Sequence, residues 1–265
     1  MTARRNGSST PIAGKRILVV GASAGIGRST ATAAVAAGAN VVFSARRQHA
    51  LEAAVKSAGG GSAIAADVRD QTQVEHLLAA TVETLGGLDG LVYATGCSTF
   101  GVLTDLDAED WRLVLETNAV GAALVGRYAV PHLASSGGVA FFLSSEAVGR
   151  PRVGLVHYGA SKAALEELIR GFQSEQPEIR FTQVTVGQTL GTEFGSRFEP
   201  EDLAGVMDRW NAEGHMHERS MQADDLGQAI VELLTTQIVH PDIDLRTAVI
   251  RSPGPLAKPS GLAVP

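Results

Sequence analysis

A chain of 265 residues with 22 Lys and Arg against 28 Asp and Glu, a net charge of −6, offers no basic surface for nucleic acid. Hydrophobic residues at 45% and charged residues at 19% describe an ordinary soluble globular protein with enough chain for a substantial core. Cys97 is the single cysteine, which excludes an intrachain disulfide and suits a reducing cytoplasm.

The first residues, 1–11, carry Arg4 and Arg5 without an apolar stretch and read as a loose terminus, not a secretory leader. The β-branched run 16–20 predicts a strand, Gly21 a turn, and the Ala-rich segment 28–37 a helix that Gly38 closes. Strand 41–44, helix 48–57, strand 62–66, helix 71–85 and strand 90–94 come next in alternation. The second half adds one long helical segment over 108–133, strand 139–143, helix 158–175, strand 181–186, helix 223–236 and strand 247–251. The uncharged run 128–145 contains Pro131, His132, Gly137 and Gly138, so it reads as helix end, turn and strand and not as a membrane span. Such alternation predicts an α/β fold, a doubly wound parallel sheet of about seven strands flanked by helices, in one domain over 12–252.

Residues 188–222 break the rhythm. They are polar with scattered Phe194, Phe198, Met207 and Trp210, and a loop of that length predicts a lid over a substrate. His215 and His217 flank Met216 there without other ligands at metal spacing, so they read as solvent-facing and no metal is expected. The Pro- and Gly-containing tail 253–265 reads as loose.

Between the first strand and first helix, Gly21, Gly25 and Gly27 are spaced G-x-x-x-G-x-G, with Ser23, Ala24 and Ile26 between them. A tight turn at that place lets backbone amides and a helix N-terminus receive a pyrophosphate. The second strand runs into Ser44-Ala45-Arg46-Arg47, where a carboxylate would hold the ribose hydroxyls of NAD and none is present. Two arginines at a helix start are disfavoured by the dipole unless an anion joins them, so Arg46 and Arg47 point to the 2′-phosphate of NADP(H), with solvated surface arginines as the alternative. Asp67, followed by Val68 after the third strand, is placed to receive an adenine amino group or to start a turn.

Tyr158 and Lys162 lie one helical turn apart on one face. A phenol works as a base near neutrality only if its pKa falls by roughly 3 units, and a positive charge about 4 Å away supplies about that much. The pair therefore predicts a low-pKa phenol; a half-buried tyrosine beside a solvated lysine is the alternative.

With the glycine loop, Asp67, Asn118, Ser145, Tyr158 and Lys162 in this order, the chain resembles the short-chain dehydrogenase/reductase family over about residues 12–252. The resemblance implies Tyr158 as acid/base, Lys162 lowering its pKa and holding the nicotinamide ribose, Ser145 holding the substrate oxygen, and Asn118 anchoring a water that links the lysine to solvent. It also brings Ala94, Thr95, Gly96, Gly187, Thr189 and Thr192 to the cofactor. The chain departs from the family pattern at Tyr93-Ala94-Thr95-Gly96, where Asn-Asn-Ala-Gly is usual, and at Val186-Gly187, where Pro-Gly is usual. Together the residues and the resemblance predict an oxidoreductase that prefers NADP(H) over NAD(H), interconverts a small carbonyl and a secondary alcohol, and works as a homodimer or homotetramer in the cytoplasm, away from nucleic acid and membrane. The rivals are an NADP(H)-binding regulator without turnover and a same-fold isomerase or dehydratase. The pocket would be lined in part by Cys97, Phe100, Arg150, Arg152 and His157, with Glu146 either binding a substrate polar group or lying at the rim.

Overall fold

The computed structural model describes residues 10–196 and 198–254. The terminal segments expected to be loose fall largely outside them. Five short apolar runs become β1 (Arg16–Val20), β2 (Asn40–Ala45), β3 (Ser62–Ala65), β4 (Gly90–Tyr93) and β5 (Val139–Ser145), joined by β6 (Arg180–Val186) and β9 (Thr247–Ile250). All pairings in this seven-stranded sheet are parallel, in the order β3-β2-β1-β4-β5-β6-β9. Parallel strands are covered on both faces, which is why their sequences are almost continuously apolar.

Alternate side chains feed two cores. Ile17, Val19, Phe43, Phe141 and Val184 point to one face, beneath α1 (Gly25–Ala36), α2 (Gln48–Ala58) and α8 (Ala223–Val239). Leu18, Val20, Leu91, Tyr93 and Phe142 point to the other, beneath α3 (Gln71–Leu85), α5 (Gly121–Ser136) and α6 (Val156–Glu175). Burying a Leu, Val or Phe side chain contributes about 1.5–3 kcal/mol each, so these cores carry the fold. Helix α1 approaches α8 closely because Gly227 has no side chain: a Cβ there would lie 2.6 Å from the Ser29 carbonyl carbon.

The sheet order reverses between β1 and β4, and such a switch point opens a crevice at the carboxyl ends of the strands. Two expectations give way in this region. The long helix over 108–133 is three pieces: α4 (Ala108–Leu115), a π-helical turn (Glu116–Val120) and α5. The wide turn frees the Thr117 carbonyl, which accepts a 2.6 Å hydrogen bond from the buried Tyr93 hydroxyl. Gly121 makes room, since a Cβ there would lie 2.9 Å from that hydroxyl.

Nor is 188–222 a structureless loop. It contains the short strands β7 (Thr189–Leu190) and β8 (Met221–Gln222), paired with each other, and α7 (Pro200–Ala212). Leu203, Val206, Met207 and Trp210 recur at helical spacing and pack with Phe100, Phe194 and Phe198 in a third apolar cluster.

Candidate functional site

The crevice is a cleft of about 770 Å³ running from the β1–α1 turn to the underside of α7. At one end the glycine loop leaves no space for side chains. A Cβ on Gly27 would lie 2.2 Å from the Gly21 carbonyl oxygen, and one on Gly21 2.8 Å from the Thr95 amide. Gly25, at φ +54°, opens α1, and a Cβ there would lie 3.3 Å from the Thr192 Cα. The result is a bare cradle at a helix N-terminus, of the kind that accepts a phosphate.

Ser23, Ala24 and Ile26 line this end with Ala94, Thr95 and Gly96. So do Arg46, Arg47, Asp67 and Val68 at the ends of β2 and β3, and Gly187, Thr189 and Thr192 beyond β6. Arg47 spans the cleft mouth, bonded to Glu193 at 2.6 Å and to Ser23 at 3.4 Å. Asp67 receives both the side chain and the backbone amide of Arg69, which hold its carboxyl below the usual range, with a smaller pull from Arg46. It thus starts a turn as well as facing the cleft.

At the other end Ser145 closes β5, and Tyr158 and Lys162 stand on the first turns of α6, all three lining the same cleft. Lys162 is 4% exposed. Its Nζ donates to the Leu143 carbonyl at 2.8 Å and lies 6.0 Å from the Tyr158 ring centre. Gly96 keeps that space open, since a Cβ there would be 3.2 Å from Nζ.

The expected low-pKa phenol is not what this geometry gives. Burial pushes the Tyr158 hydroxyl up to about 12, more than Ser145 and Arg152 pull it down, and burial lowers Lys162 to about 8. The ammonium is aimed at a carbonyl and itself resists charging, so the helical spacing alone does not deliver the compensation that spacing predicted.

Phe100, Arg150 and His157, expected in the pocket wall, do not line the cleft, and neither does Asn118. It is fully buried in the π-turn, accepting from the Cys97 amide at 2.9 Å and donating to the Cys97 carbonyl at 2.9 Å and to Ser161 Oγ at 2.8 Å. Its side chain therefore clamps the strand end after β4 to α6 at Ser161, the residue before Lys162.

Glu146 and Arg152 line the cleft beside Ser145 as expected, but sequence reasoning did not foresee how they pair. Glu146 pairs with Arg152 at 2.6 Å, both nearly buried. Arg152 also donates to the His215 carbonyl at 3.0 Å and Arg150 to the Gly214 carbonyl at 2.6 Å, so two arginines hold the chain just beyond α7. Trp210 Nε1 donates to the Val153 carbonyl across the same junction. His215 and His217 are each 8% exposed, not solvent-facing, because the chain after α7 turns them back onto this wall. Among the described residues no group of three or more His, Cys, Asp or Glu side chains is placed to hold a metal, and no helix is long and apolar enough to cross a membrane.

The model of the short chain dehydrogenase family matches residues 15–202. The chain is 33% identical over 200 residues to the glycine betaine reductase ATRR of Emericella nidulans, covering 73% of this chain and 16% of that protein. It is 33% identical over 186 residues to 11-beta-hydroxysteroid dehydrogenase A of Sesamum indicum, covering 68% and 53%. Against serine 3-dehydrogenase of Agrobacterium fabrum the identity is 31% over 67% and 73% of the two chains. The chain thus spans about half or less of the first two relatives' length. In fold it resembles the alcohol dehydrogenase of the archaeon Thermococcus sibiricus complexed with 5-hydroxy-NADP, with a TM-score of 0.75 at 24% identity over 90% and 96% of the chains.

Proposed function

The chain belongs to the short-chain dehydrogenase family of Rossmann-fold oxidoreductases, and from that premise we propose that it interconverts a carbonyl and a secondary alcohol with NADP(H), Tyr158 serving as acid/base. The observation that carries this reading is that Ser145, Tyr158 and Lys162 share one cleft with the glycine cradle and with Arg46 and Arg47. The cradle fits a dinucleotide, since a Cβ at Gly21 or Gly27 would collide with backbone and a pyrophosphate needs that close approach. Gly21 through Gly27, Thr95, Gly96, Gly187, Thr189 and Thr192 would hold the cofactor, with Tyr158 and Lys162 at its nicotinamide end. Bound there, it would supply or accept the hydride.

The protein's own part is orientation and proton movement. As negative charge grows on a carbonyl oxygen, the Ser145 hydroxyl donates a hydrogen bond to it and the Tyr158 phenol gives up its proton. A phenol held near 12 is fully protonated at neutral pH, the form that carbonyl reduction requires. Lys162, with Asn118 fixing the neighbouring chain, would restore that proton. In the alcohol-to-carbonyl direction the phenol must ionise, so its protonation favours reduction.

Preference for NADP(H) rests on Arg46 and Arg47 at the end of β2, where no carboxylate stands to hold a ribose diol. Residues 12–252 are read as one catalytic unit, supported by the continuity of the seven-stranded sheet, and a homodimer or homotetramer is the assembly the family suggests. The test is loss of reduced-nicotinamide absorbance with a panel of ketones and aldehydes, run with NADPH and NADH. Turnover that is faster at low NADPH than at equal NADH is expected. No turnover with any carbonyl would remove the redox reading, and equal use of both cofactors the 2′-phosphate reading.

A further inference from the structure

Seven buried side-chain nitrogen or oxygen atoms among the described residues have no hydrogen-bond partner, and four of them belong to Arg152, His215 and His217. Buried polar atoms are nearly always satisfied; of these three residues Arg152 lines the cleft and the two histidines do not, so the polar capacity left open toward the cleft is that of the Glu146 and Arg152 pair. The wall is built around Glu146. Its Oε1 meets Arg152 at 2.6 Å and its Oε2 lies 3.8 Å from His217 Nε2, while Gly187, lacking a Cβ that would sit 3.0 Å from Oε2, leaves the carboxylate its place. Glu146 directly follows Ser145, and Glu146 and Arg152 both line the cleft. The same end of the cleft also carries apolar side chains, Leu155, Phe194, Phe198, Trp210 and Met216.

Resting on the carbonyl-reductase reading, we propose that Glu146 and Arg152 determine specificity by selecting a carbonyl substrate that bears a neutral hydroxyl close to the reacting carbon, together with an apolar group. A hydroxyl both donates and accepts, so it can give its proton to the Glu146 carboxylate and receive a hydrogen bond from the Arg152 guanidinium. A carboxylate on the substrate gains no net attraction from a paired cation and faces the Glu146 charge at close range; an ammonium group meets the same obstacle at Arg152. A plain ketone leaves the charged wall without a partner on its open side. Hydrogen bonds to charged groups discriminate by about 10- to 100-fold.

The test compares three phenyl ketones, 2-hydroxyacetophenone, acetophenone and phenylglyoxylate, in the full-length protein with NADPH. The readout is the ratio of kcat/KM for 2-hydroxyacetophenone to that for acetophenone. The double variant Glu146→Leu/Arg152→Met removes both charges together, leaving no lone buried ion, and its ratio reports the intrinsic reactivity difference of the two ketones. The wild-type ratio is expected to exceed it by about tenfold or more, with phenylglyoxylate below 2-hydroxyacetophenone in the wild type. Should the double variant not fold, Glu146→Gln takes its place, and a fall in the ratio of about threefold or more is expected. A ratio unchanged in the variant, or a wild-type preference for phenylglyoxylate, overturns the proposal. If none of the three is reduced with either cofactor, the redox reading has failed separately, and calorimetric dissociation constants decide the selectivity: tightest binding of 2-hydroxyacetophenone sustains it, and any other order overturns it.

Discussion

Lys162 is expected to weaken the fold that it serves, and Lys162→Met makes the cost measurable. The amine is 4% exposed, and burial lowers its pKa from 10.5 to about 8. The unfolded chain therefore holds the proton to higher pH than the folded one. Between about pH 8 and 10.5 the unfolded state binds more protons, so stability rises with pH across that window; below pH 8 both states are charged and the full penalty, about 3 kcal/mol, is present. Methionine keeps the length of the stem and removes the charge. It also strips the Leu143 carbonyl of the donor now 2.8 Å away, which costs about 1–3 kcal/mol. At pH 7 the variant should accordingly be as stable as the wild type or up to about 2 kcal/mol more stable, while losing activity. Raising the pH from 7 to 10 should shift the balance toward the wild type by about 2–3 kcal/mol. Tyr93 and Tyr158 are held protonated by burial in both folded proteins and ionise alike in the two unfolded chains, so they cancel in the difference. Urea unfolding of ligand-free protein, followed by circular dichroism at pH 7, 8.5 and 10, gives the numbers. A stability gap that stays constant across that range would show that Lys162 is not held out of water and would refute the reasoning.

The same geometry makes three other outcomes measurable. Arg46→Ala should weaken NADPH about tenfold and leave NADH nearly unchanged in equilibrium titrations, the loss of one charge-assisted hydrogen bond. Glu193→Gln, which releases Arg47 from its 2.6 Å bridge, should tighten NADPH a few-fold in the same titration, and weaker binding would mean that the bridge supports the site instead. Tyr93→Phe should cost about 1–3 kcal/mol in chemical denaturation, because the Thr117 carbonyl freed by the π-turn loses the hydroxyl that donates to it.

Most of the sheet is legible in the sequence because buried parallel strands announce themselves as short apolar runs between turn residues, and helix 71–85 is readable to its final bounds. The glycine cradle is equally plain, since its position between strand and helix carries the information. What escapes depends on contacts distant in sequence. The π-turn exists for the sake of Asn118, Cys97 and Tyr93, which no local pattern joins. Helix α7 does carry a local signal, Leu203, Val206, Met207 and Trp210 at helical spacing, outweighed by the polar residues around it. The Tyr158 pKa is misjudged from sequence because spacing fixes which face two side chains share, not the depth at which both are buried. Glu146, Arg152 and His217 come together only when the chain after α7 folds back on the end of β5.

The central claim, that Tyr158 transfers the proton in a cleft that also binds the dinucleotide, is tested most directly by Tyr158→Phe. NADPH-dependent carbonyl reduction and NADPH binding are measured on the same preparation as for the wild type. The account predicts that kcat/KM falls by about 10²- to 10⁴-fold while NADPH still binds; turnover equal in the two proteins, with binding retained, would contradict it.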